Sequence, residues 1–253
     1  MRIISWFGFL TACCLVTWLA PLATADDATI EATPKDADGK PAVESKNKNG
    51  EGKKDEAETK KEEKPEVKLL KMFKEHQSIT NTLGVVMVWV PKDYRAGKYE
   101  VTQREFELVM KTNPSKFKGD QHPVENVSWE EANEFCKKLT EKERMEGKLP
   151  KSFYYALPSE TQWEYFVDEA TLKDAVTSLL GDRHNTENVG LLGPNKYGLH
   201  DVRGNVSEWC SSPVARGGSW RNYEDYLAIT FRYTGSSDTR LDDVGFRCVL
   251  MGE

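Results

Sequence analysis

The sequence predicts a mixed domain of capped helices, short strands and a long loop-like stretch. Three reciprocally capped helix starts, a few short apolar strand runs and one long glycine-punctuated stretch predict it. The first strand signal is the run GVVMVWV, from Gly84 to Val90. Thr102 with Glu105 then forms a capping box: the hydroxyl accepts from a free backbone N–H and the carboxylate reaches back to the cap residue. The helix that follows carries Phe106, Val109 and Met110 on one face. Ser128 with Glu131 opens a second helix, with Ala132, Phe135, Cys136 and Leu139 spaced as a buried stripe. Ser152 to Ala156 reads as a strand, and Ser159 with Gln162 opens a third helix, with Trp163, Phe166 and Val167 inward. These stripes are core positions. From Thr186 to Ser219 the chain reads as loop, so metal ions or disulfides are the usual candidates for holding it. Gly245 to Met251 is the last strand signal.

The chain has 253 residues, 30% of them charged and only 38% hydrophobic, with a formal net charge of -6. That balance supplies no basic field, which excludes nucleic-acid binding driven by phosphate neutralisation. The average also conceals unlike parts. Residues 1–25 combine Arg2, an apolar run to Leu19 and the small residues Ala23 and Ala25 before Asp26, the pattern of a secretory signal peptide. An uncleaved anchor and a lipoprotein site at Cys13 are the alternatives, and all three imply export. Residues 26–68 form a charged tract without an aromatic residue, expected to be a disordered linker with at most local helix near Asp55 to Lys64. A single domain is therefore expected over residues 69–253, and no membrane span is expected in the mature chain unless the signal is kept as an anchor. His76, His122, His184 and His200 are scattered, so no zinc spacing is present. Nucleophile-elbow, phosphate-loop and dinucleotide motifs are also absent.

Six strings occur in order: GKYEVTQREFELVM, HPVENVSWEEANEFCKKL, ALPSETQWEY, NKYGLHDVRGNVSEW, RGGSW and DDVGFRCVL. Together they resemble the successive signatures of the formylglycine-generating enzyme family, the sulfatase-modifying factors. The resemblance implies a C-type-lectin-like variant fold of that type, an α+β domain with little regular secondary structure and much loop. It also implies an activity, the oxidation of a sulfatase cysteine to Cα-formylglycine by two cysteines that bind copper(I), a metal that selects soft thiolates. In the family these cysteines lie between the RGGS and GFR segments. Here they would fall on about Asn222 or Tyr223 and about Leu227 or Ala228, yet no cysteine occurs from Ser211 to Arg247. No catalytic residue and no copper are therefore expected.

The resemblance carries two further expectations. Cys136 and Cys248 match a pair that forms a disulfide in some members, a bond that would close a loop of over 100 residues and contribute about 4 to 5 kcal/mol. Two buried thiols are the alternative, and Cys210 is left as the odd cysteine. A calcium site is expected with the side chains of Asp201 and Glu208 and the carbonyls of Gly204 and Val206 as ligands. The competing reading pairs those acids with Arg203 or Arg216. A second family calcium site falls in the segment from Asp168 to His184, which is too short to keep it.

Two functions follow. One is an exported, catalytically degenerate binding or accessory module, with a groove lined by Arg216, Ser219, Trp220, Asn222, Tyr223 and Arg232 for a protein or glycan ligand. The other is an oxidoreductase generating formylglycine, or a related metal-dependent oxidation. Asn126-Val127-Ser128 and Asn205-Val206-Ser207 match the glycosylation pattern only by coincidence.

Overall fold

Each of the three capping boxes closes in the computed structural model, which describes residues 64–181 and 183–252. The segment expected as a signal peptide, and the expected linker up to residue 63, lie outside the described residues. Thr102, Ser128 and Ser159 accept from Glu105, Glu131 and Gln162 backbone N–H groups, and those side chains bond back to the cap residues. The helices that follow are α2 (Gln103–Met110), α3 (Trp129–Met145) and α4 (Glu160–Val167). An earlier helix, α1 (Pro65–Lys74), starts inside the stretch expected as linker. Its Phe73 is buried, and Arg95 holds its C-terminal end by donating to the carbonyls of Phe73, Glu75 and Gln77.

Two sheets form among the described residues. The first has the order β1-β2-β3-β9-β4, from β1 (Ile79–Thr80), β2 (Val86–Val90), β3 (Tyr94–Gly97), β4 (Phe153–Ala156) and β9 (Val249–Gly252). All its pairs are antiparallel, and β9 lies between β3 and β4, so residues near the C-terminus complete a sheet begun by the first strands. The second has the order β7-β6-β5-β8, from β5 (Ser207–Trp209), β6 (Val214–Arg216), β7 (Tyr233–Thr234) and β8 (Val244–Gly245). The parallel β5–β8 pair brings the GNVSEW and GFR strings side by side. Gly245 permits a close approach there, because a Cβ at that position would lie 2.3 Å from the Val124 carbonyl.

The core divides into two clusters. Phe106, Phe135, Trp209 and Phe246 centre one, and Trp163, Phe166 and Leu199 centre the other. The 186–219 stretch contains β5 and β6 and is otherwise irregular. Amide and guanidinium side chains, Asn205 buried and Asn195 and Arg203 half-buried, hold it. Asn195 bonds the backbone N–H groups of Tyr197 and Leu199 and the carbonyl of Phe166. Asn205 bonds Glu187 N–H and the Glu100 carboxylate. Arg203 donates to the carbonyls of Ala170 and Leu227. Apart from the Asn205–Glu100 bond, each contact satisfies a backbone group left without a ladder partner.

Candidate functional site

The loop from Arg221 to Arg232, which would carry the family's cysteines, is reached through RGGSW. Gly218, at φ +69°, has no room for a Cβ, which would meet the Tyr226 carbonyl at 2.7 Å. This contact tucks the short helical turn Glu224–Leu227 under the RGGS strand. Leu227 is fully buried, while Tyr223 and Tyr226 are 67% and 51% exposed. The positions expected for the lost cysteines are thus half-buried Asn222 or solvent-facing Tyr223, and core Leu227 or half-buried Ala228.

The expected groove is only partly a surface. Arg216, Ser219 and Trp220 are buried, which corrects their placement as groove-lining contact residues. Arg216 donates to Glu160, Glu164 and the carbonyl of Ile229, and its guanidinium lies over Trp163 at 5.0 Å. The Ser219 hydroxyl lies 2.9 Å from both Asn222 Oδ1 and Asp243 Oδ2. Arg232 is exposed but engaged bidentately by Glu160, whose carboxyl its guanidinium hydrogen bond holds below the usual range. Asn222 is half-buried against Ser219, so Tyr223, Tyr226 and the edge of Arg232 form the exposed part.

The second expected site gathers more chemistry than its loop predicts. Glu208 is buried and pairs with neither Arg203 nor Arg216. Its partner is Arg247, which donates Nε and one terminal nitrogen to Oε1 at 2.9 and 2.7 Å, and Trp163 Nε1 donates to Oε2 at 3.1 Å. Asp201, 3% exposed, accepts Gly190 N–H on one oxygen, and its other oxygen, Oδ1, is buried without a partner among the described residues. Glu100, missed at the sequence level, is the third buried acid, bonded to Val206 N–H at 3.0 Å and to the Asn205 amide at 2.7 Å. Burial raises all three carboxyl groups, and mutual repulsion raises Glu100 further. One buried guanidinium therefore serves three buried carboxylates. Toward a hard divalent cation the acids offer one oxygen without a partner among the described residues, Asp201 Oδ1, since Arg247 and Trp163 already take both oxygens of Glu208. Among the described residues no three His, Cys, Asp or Glu side chains meet at one point, so such a cation needs the Gly204 and Val206 carbonyls. Asn205 is wholly buried, so its glycosylation match has no access in the folded chain.

Cys136 and Cys248 are brought together, with their sulfurs 3.5 Å apart, as buried unbonded thiols. The Cys136 contact and burial push the Cys248 thiol well up. Cys210 is buried, and desolvation raises its thiol strongly, the environment of an inert cysteine.

Glu125, in the HPVENVSW string, is a buried acid that sequence reasoning also missed. Oε1 accepts Phe117 N–H at 2.8 Å, and Oε2 has no partner among the described residues. Burial pushes its carboxyl up to about 7. The folded chain then keeps a proton that the unfolded chain has lost, so stability is complete below the ordinary carboxylate value and falls as pH rises toward 7. Glu125→Gln is expected to raise the melting temperature at pH 8 by on the order of 3–5 °C, with no effect at pH 4. A scan of melting against pH on both chains checks the sign.

Comparison with known proteins bears on the family and the fold. The model of the sulfatase-modifying factor enzyme 1-like domain matches residues 72–251. A chaperone protein LppX from Paenibacillus barcinonensis is 29% identical over 228 residues, covering 62% of this chain and 80% of that protein. The inactive Cα-formylglycine-generating enzyme 2 of Bos taurus is 31% identical over 163 residues, covering 50% of this chain and 49% of its own length. Among solved structures, Treponema denticola variable protein 1 superposes with a TM-score of 0.55 at 25% identity, covering 68% of this chain and 93% of its own. PvdO from Pseudomonas aeruginosa shares the fold, with a TM-score of 0.54 at 21% identity over 65% of this chain and 82% of its own. With six signature strings in order, one compact unit built from them and a family match across 72–251, the chain belongs to the sulfatase-modifying factor enzyme 1-like domain family.

Proposed function

We propose that this chain is an exported, catalytically degenerate member of its family that acts as a binding or accessory module for a protein partner. The observation that carries this is the cysteine-free stretch from Ser211 to Arg247, in which Asn222 or Tyr223 and Leu227 or Ala228 stand at the expected catalytic positions. A thiolate copper(I) centre has no ligands there. Relatives named as inactive formylglycine-generating enzymes support the loss of activity, and a relative named as a chaperone favours a protein over a glycan partner. Export rests on the Arg2 and apolar N-terminal pattern that precedes Ala23 and Ala25. Tyr223, Tyr226 and Arg232 are the contact residues of this reading, an aromatic and arginine mixture suited to protein surfaces.

Calcium belongs to the same reading. Asp201 and Glu208 would hold it with the carbonyls of Gly204 and Val206, and it would supply positive charge to a buried centre that has three acids and one guanidinium. In an oxidising compartment the neighbouring Cys136 and Cys248 thiols would close to a disulfide.

The test incubates the purified protein with copper(I), oxygen and a peptide bearing the sulfatase motif, followed by mass spectrometry. No formylglycine above background is expected. Conversion would replace this reading with the oxidoreductase one.

A further inference from the structure

A second cavity, of about 400 Å³, lies between α1, β1 and the end of α3, and it shares no lining residue with the 216–232 segment. That volume is within the range of small-molecule sites. Met72, Phe73 and Ile79 form apolar wall, while Glu143, Tyr155 and Lys148 supply polar groups. Glu143 is 1% exposed and Lys148 is exposed, so the acid marks the inner end and the base the outer.

The binding of Glu143 is unusual for a buried acid. Oε1 accepts the backbone N–H and hydroxyl of Thr82 at 2.7 and 2.9 Å, and Oε2 accepts the Tyr155 hydroxyl at 2.8 Å. All three donors are neutral, so the carboxylate has no paired cation among the described residues. A buried carboxylate without a counter-ion carries a desolvation cost that an entering cation offsets. An apolar wall next to it suits methylene groups, and the outer lysine attracts an anion. A plain fatty carboxylate would meet repulsion at the inner end, and a plain alkylammonium would leave Lys148 unused.

We propose that this cavity binds an aliphatic zwitterion of the ω-amino acid class. The ammonium sits at Glu143, the methylene chain lies along Met72, Phe73 and Ile79, and the carboxylate faces Lys148. Binding is non-covalent, and neither the family's chemistry nor the calcium centre takes part.

The experiment titrates 6-aminohexanoate into the full chain carrying carbon-13 methyl labels on methionine and isoleucine, with n-hexanoate and n-hexylammonium as matched probes. Saturable shifts of the Met72 and Ile79 methyl signals are expected. Each single-charge probe is expected to bind at least about tenfold more weakly, a difference of about 1.4 kcal/mol. Glu143→Gln is expected to lose at least as much. Because Glu143 also holds Thr82 and Tyr155, two further variants leave it in place. Lys148→Gln is expected to weaken 6-aminohexanoate while leaving n-hexylammonium unchanged, and Ile79→Trp to block all three probes by filling the cavity. Unmoved methyl signals in the wild-type chain would overturn the proposal. So would n-hexanoate binding as tightly as the zwitterion, or full affinity in Lys148→Gln.

Discussion

Arg247→Met is expected to cost the folded state about 3–5 kcal/mol, among the larger penalties that one substitution can impose. The guanidinium is fully buried and makes four contacts. Two go to Glu208 Oε1, one to the Gly97 carbonyl at 2.8 Å and one to the His200 carbonyl at 2.7 Å. Removing it leaves the Glu208 charge with Trp163 as its remaining donor, beside two further buried acids. Two carbonyls lose their partner at the same time. Urea denaturation at neutral pH measures the loss. The double variant Glu208→Gln with Arg247→Met is expected to cost less than Arg247→Met alone, because the stranded charge goes with its partner. Equal costs for the single and double variants would show that packing, not charge, sets the penalty. Arg247→Lys is no rescue, since an ammonium cannot reproduce a planar fork that reaches a carboxylate and two carbonyls together.

The second large effect concerns calcium. If the centre takes the ion as proposed, a hundredfold excess over the dissociation constant stabilises by about 2.7 kcal/mol, or roughly 5–10 °C in melting temperature for a domain of this size. A chelator reverses the shift, and Asp201→Asn is expected to remove it by converting the orphaned acid oxygen to a neutral amide. Terbium offers an independent reading. Trp163 Nε1 lies 3.1 Å from Glu208 Oε2, so excitation of this indole is expected to sensitise emission from an ion held there. Trp163→Phe would dim the emission while calcium still competes for the site. A melting curve indifferent to calcium and chelator would leave Arg247 as the only cation the centre uses.

Both effects arise from a cluster that the sequence discloses only in part. Asp201 and Glu208 stand out because they bracket a glycine turn within eight residues, and the family resemblance gives them a role. Nothing local points to Arg247 or Glu100. The nearby arginines, Arg203 and Arg216, are the natural partners on spacing alone, yet Arg203 points at backbone carbonyls and Arg216 at Glu160 and Glu164. The parallel pairing of β5 with β8 selects Arg247, a contact between strands 39 residues apart. The groove residues were misjudged for the same reason. An RGGSW string followed by tyrosines reads as a contact surface, but burial depends on the turn that packs Leu227 beneath Gly218.

α1 shows the converse. Its first four residues, Pro65 to Lys68, lie in the charged tract expected as linker, while Leu69 to Lys74 lie in the expected domain. The helix is held at its end by Arg95, a residue of β3 that donates to the Phe73 carbonyl within it and to those of Glu75 and Gln77 just beyond. Short helices gain most of their stability from such tertiary contact rather than from propensity.

The sequence by itself determined the three capped helices, the strands that form β2, β4 and β9, the family and the absence of the catalytic cysteines. These depend on interactions within a few residues or on the bare presence of a side chain. Tertiary structure alone decided which arginine meets which acid, which groove residues see solvent, and that Glu143 lines a cavity without a paired cation. Those properties depend on burial and on strand pairings across long separations, where the cost of desolvation selects partners that spacing cannot identify.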